Sequence, residues 1–327
     1  MTRNIRVGFI GAGGIAPGHY HRLAATGRAE IVALTDPSAE SLARFRERCP
    51  GSDAIPAYTR YEEMLASVEL DAVLVLSPHA CHGEQIAASL NRGLHVLTEK
   101  PFVCGSQEAR TLINLARETG KVLSLSYQRH YDPVFRYMRS AIAEGQIGEV
   151  QFVQSMQAQE WLRLTEGTWR QVHALSGGGQ LNDSGSHVVD IILWVTGLQV
   201  AEVTARGEYF GREVDVNGAI TFKFENGALG NLSIIGNAPA WHEDHTIIGS
   251  KGAFYLRQDG TLIQQDALGA TVPCALPEYA ENPDSNFIRC ILGEDTTQSP
   301  PECGLQTLLV TEAIWKAMST GGAVRLG

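Results

Sequence analysis

Two short stretches carry residue types suited to moving a proton. At 98–102 the chain reads TEKPF, with Glu99 and Lys100 between an apolar run and a proline, and at 177–187 it reads GGGQLNDSGSH, with Asp183 and His187 four positions apart. Pro101 pushes Lys100 toward extended backbone and cannot donate to a sheet ladder, so a strand ending at HVL must turn with the lysine near its exit. Lysine, carboxylate and imidazole are the groups that take or give the proton when a hydroxyl and a carbonyl interconvert. Each has a plainer competing role: a solvated lysine paired with Glu99, a helix N-cap for Asp183, and a satisfied first-turn histidine for His187.

A third stretch names the partner such chemistry requires. GAGGIA, covering Gly11, Gly13, Gly14, Ile15 and Ala16, follows a strand-like run directly and precedes a helical pattern. In a GxGxxA turn the first glycine permits the tight bend. The second lets the backbone approach a pyrophosphate, and the alanine lets helix and strand pack closely. Asp36 stands 20 residues after Ala16, at the end of the second strand-like run, where a ribose-binding acid belongs. A carboxylate there accepts from two ribose hydroxyls and repels a 2′-phosphate. The following PSAE holds no arginine, and Arg44 lies too far along the next helix, so NAD is expected over NADP. Hydride transfer then places the proton-moving groups at strand exits facing the crevice. Two segments qualify, TEKP and the SPHACH stretch with Ser77, Pro78, His79 and His82.

The elements that must position these residues follow from periodicity. IRVGFIG, EIVALTD, AVLVLS, LHVLTE and KVLSLSY are nearly continuous apolar runs, as strands covered on both faces should be, and helical patterns lie between them. This alternation predicts a Rossmann-type doubly wound parallel sheet, an α/β arrangement over residues 1–126. After a helix near 132–144 the pattern changes to period-two alternation in EVQFVQSMQAQ, GAITFKFENGALGNLSIIG and GAFYLRQDGTLIQQ, with turns at ENG and QDG. Residues 127–327 are therefore expected to form an α+β domain with an open, mainly antiparallel sheet. It would be covered on one face, hold a helix from about Ser184 to LWVTG, and be followed by a last helix able to pack back on the first domain.

The 327 residues carry 44% hydrophobic residues and a net charge of −10. That is ample for two cores, and the acidic balance without a Lys/Arg block argues against nucleic acid. No apolar run approaches the length of a membrane helix, and the strand-like pattern begins after a few residues, so neither anchoring nor export is expected. Six cysteines without a CxxC pair fit reduced thiols and a cytoplasmic setting.

Taken together, GAGGIA, SPHACH, TEKPF and GGGQLNDSGSH resemble the glucose-fructose oxidoreductase, inositol dehydrogenase and rhizopine-catabolism family, Gfo/Idh/MocA. The likeness runs over nearly the whole chain in order. It implies a Rossmann domain followed by an α/β domain whose open sheet makes the subunit contact of a homodimer or homotetramer. It further implies that Lys100 is the acid/base, with Asp183 and His187 completing a proton-relay and substrate-orienting set. Glu99 and His82 would lie beside the nicotinamide ribose, and Ser77, Pro78 and His79 along the cofactor. Gln128 and Arg129 would close the pocket, with Trp169 and Arg170 lining it. The implied activity is hydride exchange with a sugar, cyclitol or polyol, with either Lys100 or His187 taking the hydroxyl proton.

WHEDH at 241–245 is a poor metal site, because in a strand His242 and Asp244 share one face while Glu243 and His245 share the other. A polar loop is expected there instead, with Trp241 able to stack on a sugar ring, and no metal is expected. Two rival functions use the same fold: an NAD-dependent glycoside-cleaving enzyme that oxidises its sugar transiently, and a dinucleotide-binding sensor without turnover.

Overall fold

The continuous apolar runs become six parallel strands in a computed structural model that describes residues 3–327. They are β1 (Ile5–Ile10), β2 (Ala29–Thr35), β3 (Ala57–Tyr58), β4 (Ala72–Val75), β5 (His95–Thr98) and β6 (Leu123–Leu125). Their spatial order is β3-β2-β1-β4-β5-β6, with the order reversing between β1 and β4. All four residues of β4 are fully buried, which explains why a central strand needs no polar alternation. The crossovers are helices α1 (Ala16–Ala25), α2 (Ala39–Arg48), α3 (Tyr61–Ser67), α4 (His82–Asn91) and α5 (Ser106–Thr119). Ser38 caps α2 through the Ser41 N–H, and Gly120, left-handed at φ 64°, ends α5.

Two units divide the chain. The first runs to Gln128 and regains Ala280–Gly304, and the second holds Arg129–Tyr279 and Leu305–Gly327. In the first, Phe287 and Ile288 of helix Pro283–Ile291 join Val7, Phe9, Leu34 and Leu74 in one apolar cluster. The returning segment therefore completes the core of the parallel sheet.

In the second unit α6 (Pro133–Ala143), capped by Asp132, leads to β7 (Val150–Ala158), the short α7 (Trp161–Leu164) and α8 (His173–Ser176), and α9 (Gly185–Thr196). Then come β8 (Val200–Glu208), β9 (Asn217–Phe224), β10 (Leu229–Ile235), β11 (His242–Gly249), β12 (Gly252–Leu256), β13 (Leu262–Asp266) and β14 (Thr271–Val272), with β15 (Val324–Arg325) near the end. These nine strands form one sheet in which β10 runs parallel to β7 and the remaining pairs are antiparallel. Along β9 buried residues alternate with exposed ones: Ile220, Phe222 and Phe224 pack inward while Thr221 and Lys223 face out. The core side meets Met138 of α6 and Val188 and Ile192 of α9, and the far side is open. Gly227 and Gly260 take the positive φ that the ENG and QDG turns demand.

The triple glycine lets the chain press against itself. A Cβ on Gly179 would lie 1.8 Å from the Asp215 carbonyl oxygen, and one on Gly178 would lie 2.2 Å from the Trp315 ring. Buried Asp215 is the clamp, accepting from the main-chain N–H of Gly179 (3.0 Å) and Leu181 (2.8 Å) and from Trp315 Nε1 (2.8 Å). Gly179→Ala is expected to destabilise the protein by about 1–3 kcal/mol or more through forced backbone displacement. Urea unfolding measures this, and a midpoint equal to wild type would contradict the packing role.

Candidate active site

Parallel strands open their carboxyl ends on one edge, and here the ladder continues one rung past each strand. Gly11 N–H donates to Thr35, Leu76 to Ile10, Glu99 to Val75, and Ser126 to Thr98. The exits of β1, β2, β4, β5 and β6 are thereby aligned. Gly11 sits at φ 105° with any Cβ 2.7 Å from the Leu76 carbonyl, so only glycine fits. Gly13 and Gly14 have open space where a side chain would be, Ile15 is exposed, and Ala16 is fully buried at the start of α1. This is a bare backbone cradle at a helix N-terminus, which fits a pyrophosphate. At the next exit, Asp36 Oδ2 accepts the Ala12 N–H (2.9 Å) and Oδ1 the Ser38 N–H (2.8 Å), tying the acid to the glycine turn while half-buried. Arg44 is engaged with Glu40, whereas Arg48 at the end of α2 reaches the Gly14 carbonyl at 3.5 Å.

Lys100 follows β5 on this edge and is half-buried. Its main-chain N–H donates to Glu99 Oε2 at 3.1 Å. Glu99 is buried, and its Oε1 lies 3.1 Å from His19 Nε2 and 3.5 Å from Gln128 Nε2, which also meets Ser126 Oγ. The other nitrogen of His19 is 2.7 Å from Asp284 Oδ1, and Arg22 Nε donates to Asp284 Oδ2 at 2.5 Å. Burial alone would push His19 down, but the Asp284 and Glu99 carboxylates overcome it and raise the imidazolium to about 9. Burial likewise pushes Glu99 up, and the His19 and Lys100 charges outweigh it, bringing the carboxyl down to about 2.

Of the SPHACH residues, Ser77 donates to Gln85 Oε1 (2.6 Å), and Pro78 leads into the short turn that carries buried His79. His82 is fully buried with Nε2 2.9 Å from the Ser77 carbonyl and Nδ1 3.0 Å from that of Pro101. It lies between the two rims, and its burial favours the neutral ring, whose single N–H donates to one of the two carbonyls at a time.

In the second unit Asp183 precedes Ser184, the N-cap residue of α9, so it is not the cap. Its Oδ2 accepts from Trp161 Nε1 (2.8 Å) and from Arg170 Nε (3.0 Å), whose guanidinium lies over Trp169. His187 is half-buried on the first turn of α9. Arg129 donates to Glu243 Oε2 at 2.7 Å, with Gln157 on the same oxygen at 2.9 Å. His245 bridges Glu243 Oε1 and Ser155 Oγ, both at 2.9 Å. Burial pushes Glu243 up, but the hydrogen bond from His245 and the Arg129 charge hold it down at about 2. WHEDH is therefore a strand start rather than a loop, with His242–Asp244 (2.8 Å) and Glu243–His245 paired on opposite faces. Trp241 stands exposed just before it.

Sequence reading missed His19, Asp284, Trp161 and Glu243 as supporting groups. For His19 a signal existed, since Ala16, His19 and Leu23 form the buried stripe of α1 and a histidine on that stripe needs partners.

The doubly wound sheet, its glycine cradle and the tethered acid define a Rossmann-type dinucleotide-binding unit joined to a sheet-bearing second unit. Residues 5–127 match the family model described as "Oxidoreductase family, NAD-binding Rossmann fold", and residues 135–255 match the GFO/IDH/MocA C-terminal domain. The chain belongs to the Gfo/Idh/MocA oxidoreductase family, and its first unit is an NAD-binding Rossmann domain. It is 28% identical over 211 residues to an inositol 2-dehydrogenase of Corynebacterium glutamicum, a stretch covering 63% of this chain and 58% of that protein. The match thus spans little more than half of that relative. A 1,5-anhydro-D-fructose reductase of Ensifer adhaerens is 28% identical over 334 residues, 98% of both chains. The WlbA dehydrogenase of Bordetella pertussis, solved with NADH and UDP-GlcNAcA, shares the fold at a TM-score of 0.84 and 23% identity, covering 100% of this chain and 99% of that one.

The His19–Glu99 pair makes stability depend on pH with a definite sign. His19 is raised from 6.5 to about 9, so its contribution is complete below pH 6.5 and is lost as pH rises through 9. Glu99 is lowered from 4.5 to about 2, so its contribution is present above pH 4.5 and lost as pH falls through 2. Urea midpoints are expected to fall between pH 6.5 and about 8.5, below the ordinary thiol range, and to fall less in His19→Gln. Parallel curves for the two proteins would refute the assignment.

Proposed function

We propose that the protein is an NAD-dependent dehydrogenase or reductase that moves a hydride between the nicotinamide and a hydroxyl-bearing or keto carbon of a sugar, cyclitol or related polyol. Lys100, Asp183 and His187 form its acid/base and substrate-orienting set. The observation that carries this reading is the shared sheet edge: the lysine leaves β5 on the edge where the glycine cradle leaves β1 and Asp36 leaves β2. NAD supplies the hydride acceptor when bound. Gly11, Gly13, Gly14, Ile15 and Ala16 would receive its pyrophosphate, and Asp36 its adenosine ribose. Ser77, Pro78, His79, Glu99 and Gln128 would border its nicotinamide half, with His82 fixing the spacing of the two rims.

Lys100 holds or takes the proton of the reacting hydroxyl, and Asp183, held by Trp161 and Arg170, orients substrate with His187. Arg129, Trp169, Arg170 and Trp241 are the proposed outer contacts to the sugar. The named activities of the inositol and anhydrofructose relatives support this substrate class. The open face of the second sheet is the proposed contact of a homodimer or homotetramer, and the setting is proposed to be cytoplasmic. Net formation of NADH from a polyol separates this reading from transient oxidation in glycoside cleavage and from a sensor without turnover.

Lys100→Ala is expected to lower kcat by about 10²–10⁴-fold, the usual worth of a positioned acid/base, with NAD affinity retained. A fully active variant sinks the reading. Asp36→Asn keeps an acceptor for the Ala12 N–H but loses the charge, so NAD should bind roughly ten- to a hundredfold more weakly, with a narrowed preference over NADP. Titration of both cofactors by nicotinamide fluorescence reads this, and an unchanged preference would remove Asp36 from the ribose site.

A further inference from the structure

The most unusual feature of the first unit is a chain of charges beneath its strand exits, buried at His19, Asp284 and Glu99 and ending in partly exposed Arg22. His19 is fully buried, yet both ring nitrogens face carboxylates: Nδ1 lies 2.7 Å from Asp284 and Nε2 3.1 Å from Glu99. A carboxylate only accepts, so both nitrogens must donate, and the ring is an imidazolium. Asp284 is itself fully buried and shared with Arg22, while Glu99 faces His19, Lys100, Ser126 and Gln128. Two cations and two carboxylates therefore alternate as Arg22, Asp284, His19, Glu99. The last member grips the main-chain N–H of Lys100. The three buried members are costly to bury and depend on these pairings.

We infer that His19 is a positioning residue for Lys100. Reaching from α1 between Asp284 and Glu99, it fixes the carboxylate that holds the lysine's main chain at the exit of β5. This rests on the proposed role of Lys100. One Glu99 oxygen is committed to His19 and the other to the Lys100 N–H, so turning the carboxylate about its last bond breaks both contacts together. His19 also lies one turn beyond Ala16 on the helix that begins at the glycine cradle. One rigid element thus sets the phosphate end of the cofactor site and the attitude of the lysine. Asp284 gives the returning segment Ala280–Gly304 a function beyond filling the core, because it holds the far side of the ring.

The test is a double-mutant cycle on the full-length protein at saturating NAD and substrate. His19→Gln has nearly the size of the imidazole but cannot donate to both carboxylates. It should lower kcat about ten- to a hundredfold, as loss of near-attack geometry does, with KM and NAD affinity little changed and the folded fraction intact by circular dichroism. Glu99→Gln should show a comparable kcat loss, and the double variant should be little worse than the poorer single one, because both act through one contact. Asp284→Asn leaves the ring in place and weakens its far anchor. It should also lower kcat selectively, and it carries the test if His19→Gln does not accumulate. A His19→Gln protein with wild-type kcat, a loss tracking only the unfolded fraction, or multiplicative effects in the cycle would each overturn the inference. If Lys100→Ala is inactive while His19→Gln is fully active, only this inference falls; an active Lys100→Ala removes the reading beneath it.

Discussion

The constraint on which the first unit depends is the common direction of its strands. Because β1, β2, β4, β5 and β6 are parallel, everything that leaves their carboxyl ends leaves on one edge. The extra rungs at Gly11, Leu76, Glu99 and Ser126 hold those exits level. A glycine cradle, an acid, a lysine and a glutamine separated by tens of residues in sequence become neighbours without any dedicated scaffold. The apolar β4 is the cost-free centre of this arrangement, since it presents no polar side chain that would need a partner in the core.

Polar groups beneath the edge carry the next level of order. Asp36 bonds back to Ala12 and so couples the second exit to the first, while His82 sits between the carbonyls of Ser77 and Pro101 and donates to one of them, linking the third exit to the fourth. Glu99 with His19 couples the fourth to α1. Each bond joins elements that would otherwise be fixed only by non-directional packing, and directional bonds in a dry interior narrow the allowed geometry more sharply than apolar contacts do. The second unit uses the same device with different residues: Asp215 holds the glycine-rich turn, and Trp161 and Arg170 hold Asp183.

What was legible in the sequence divides along the same line. The strand runs, the glycine turn and Asp36 could be read because each depends on residues close in the chain, where periodicity and turn chemistry act. The change from continuous apolarity to alternation likewise announced the second sheet, and β9 bears it out in its alternating burial. Contacts spanning long separations were not legible. His19 and Asp284 are 265 positions apart, and Arg129 and Glu243 are 114 apart, so nothing local names their partners, even where the stripe of α1 marks His19 as buried. The triple glycine is a related case. Its composition announces close approach, but only the fold reveals that the approaching group is Asp215 of the same unit.

The placement of His19 shows why such long-range pairs matter to a dinucleotide fold. Helix α1 is fixed at its start by the requirement that Ala16 pack against the sheet, and that requirement alone would leave its rotation free within the tolerance of apolar packing. A histidine on its inner stripe, held between two carboxylates, removes that freedom, because rotation would strand a charge in a medium that cannot solvate it. The helix that begins at the glycine cradle is thereby locked in phase with the strand exit that carries Lys100. A fully apolar stripe would give the helix equal or greater stability and a looser phase, so the charged stripe favours definition of the edge over stability alone.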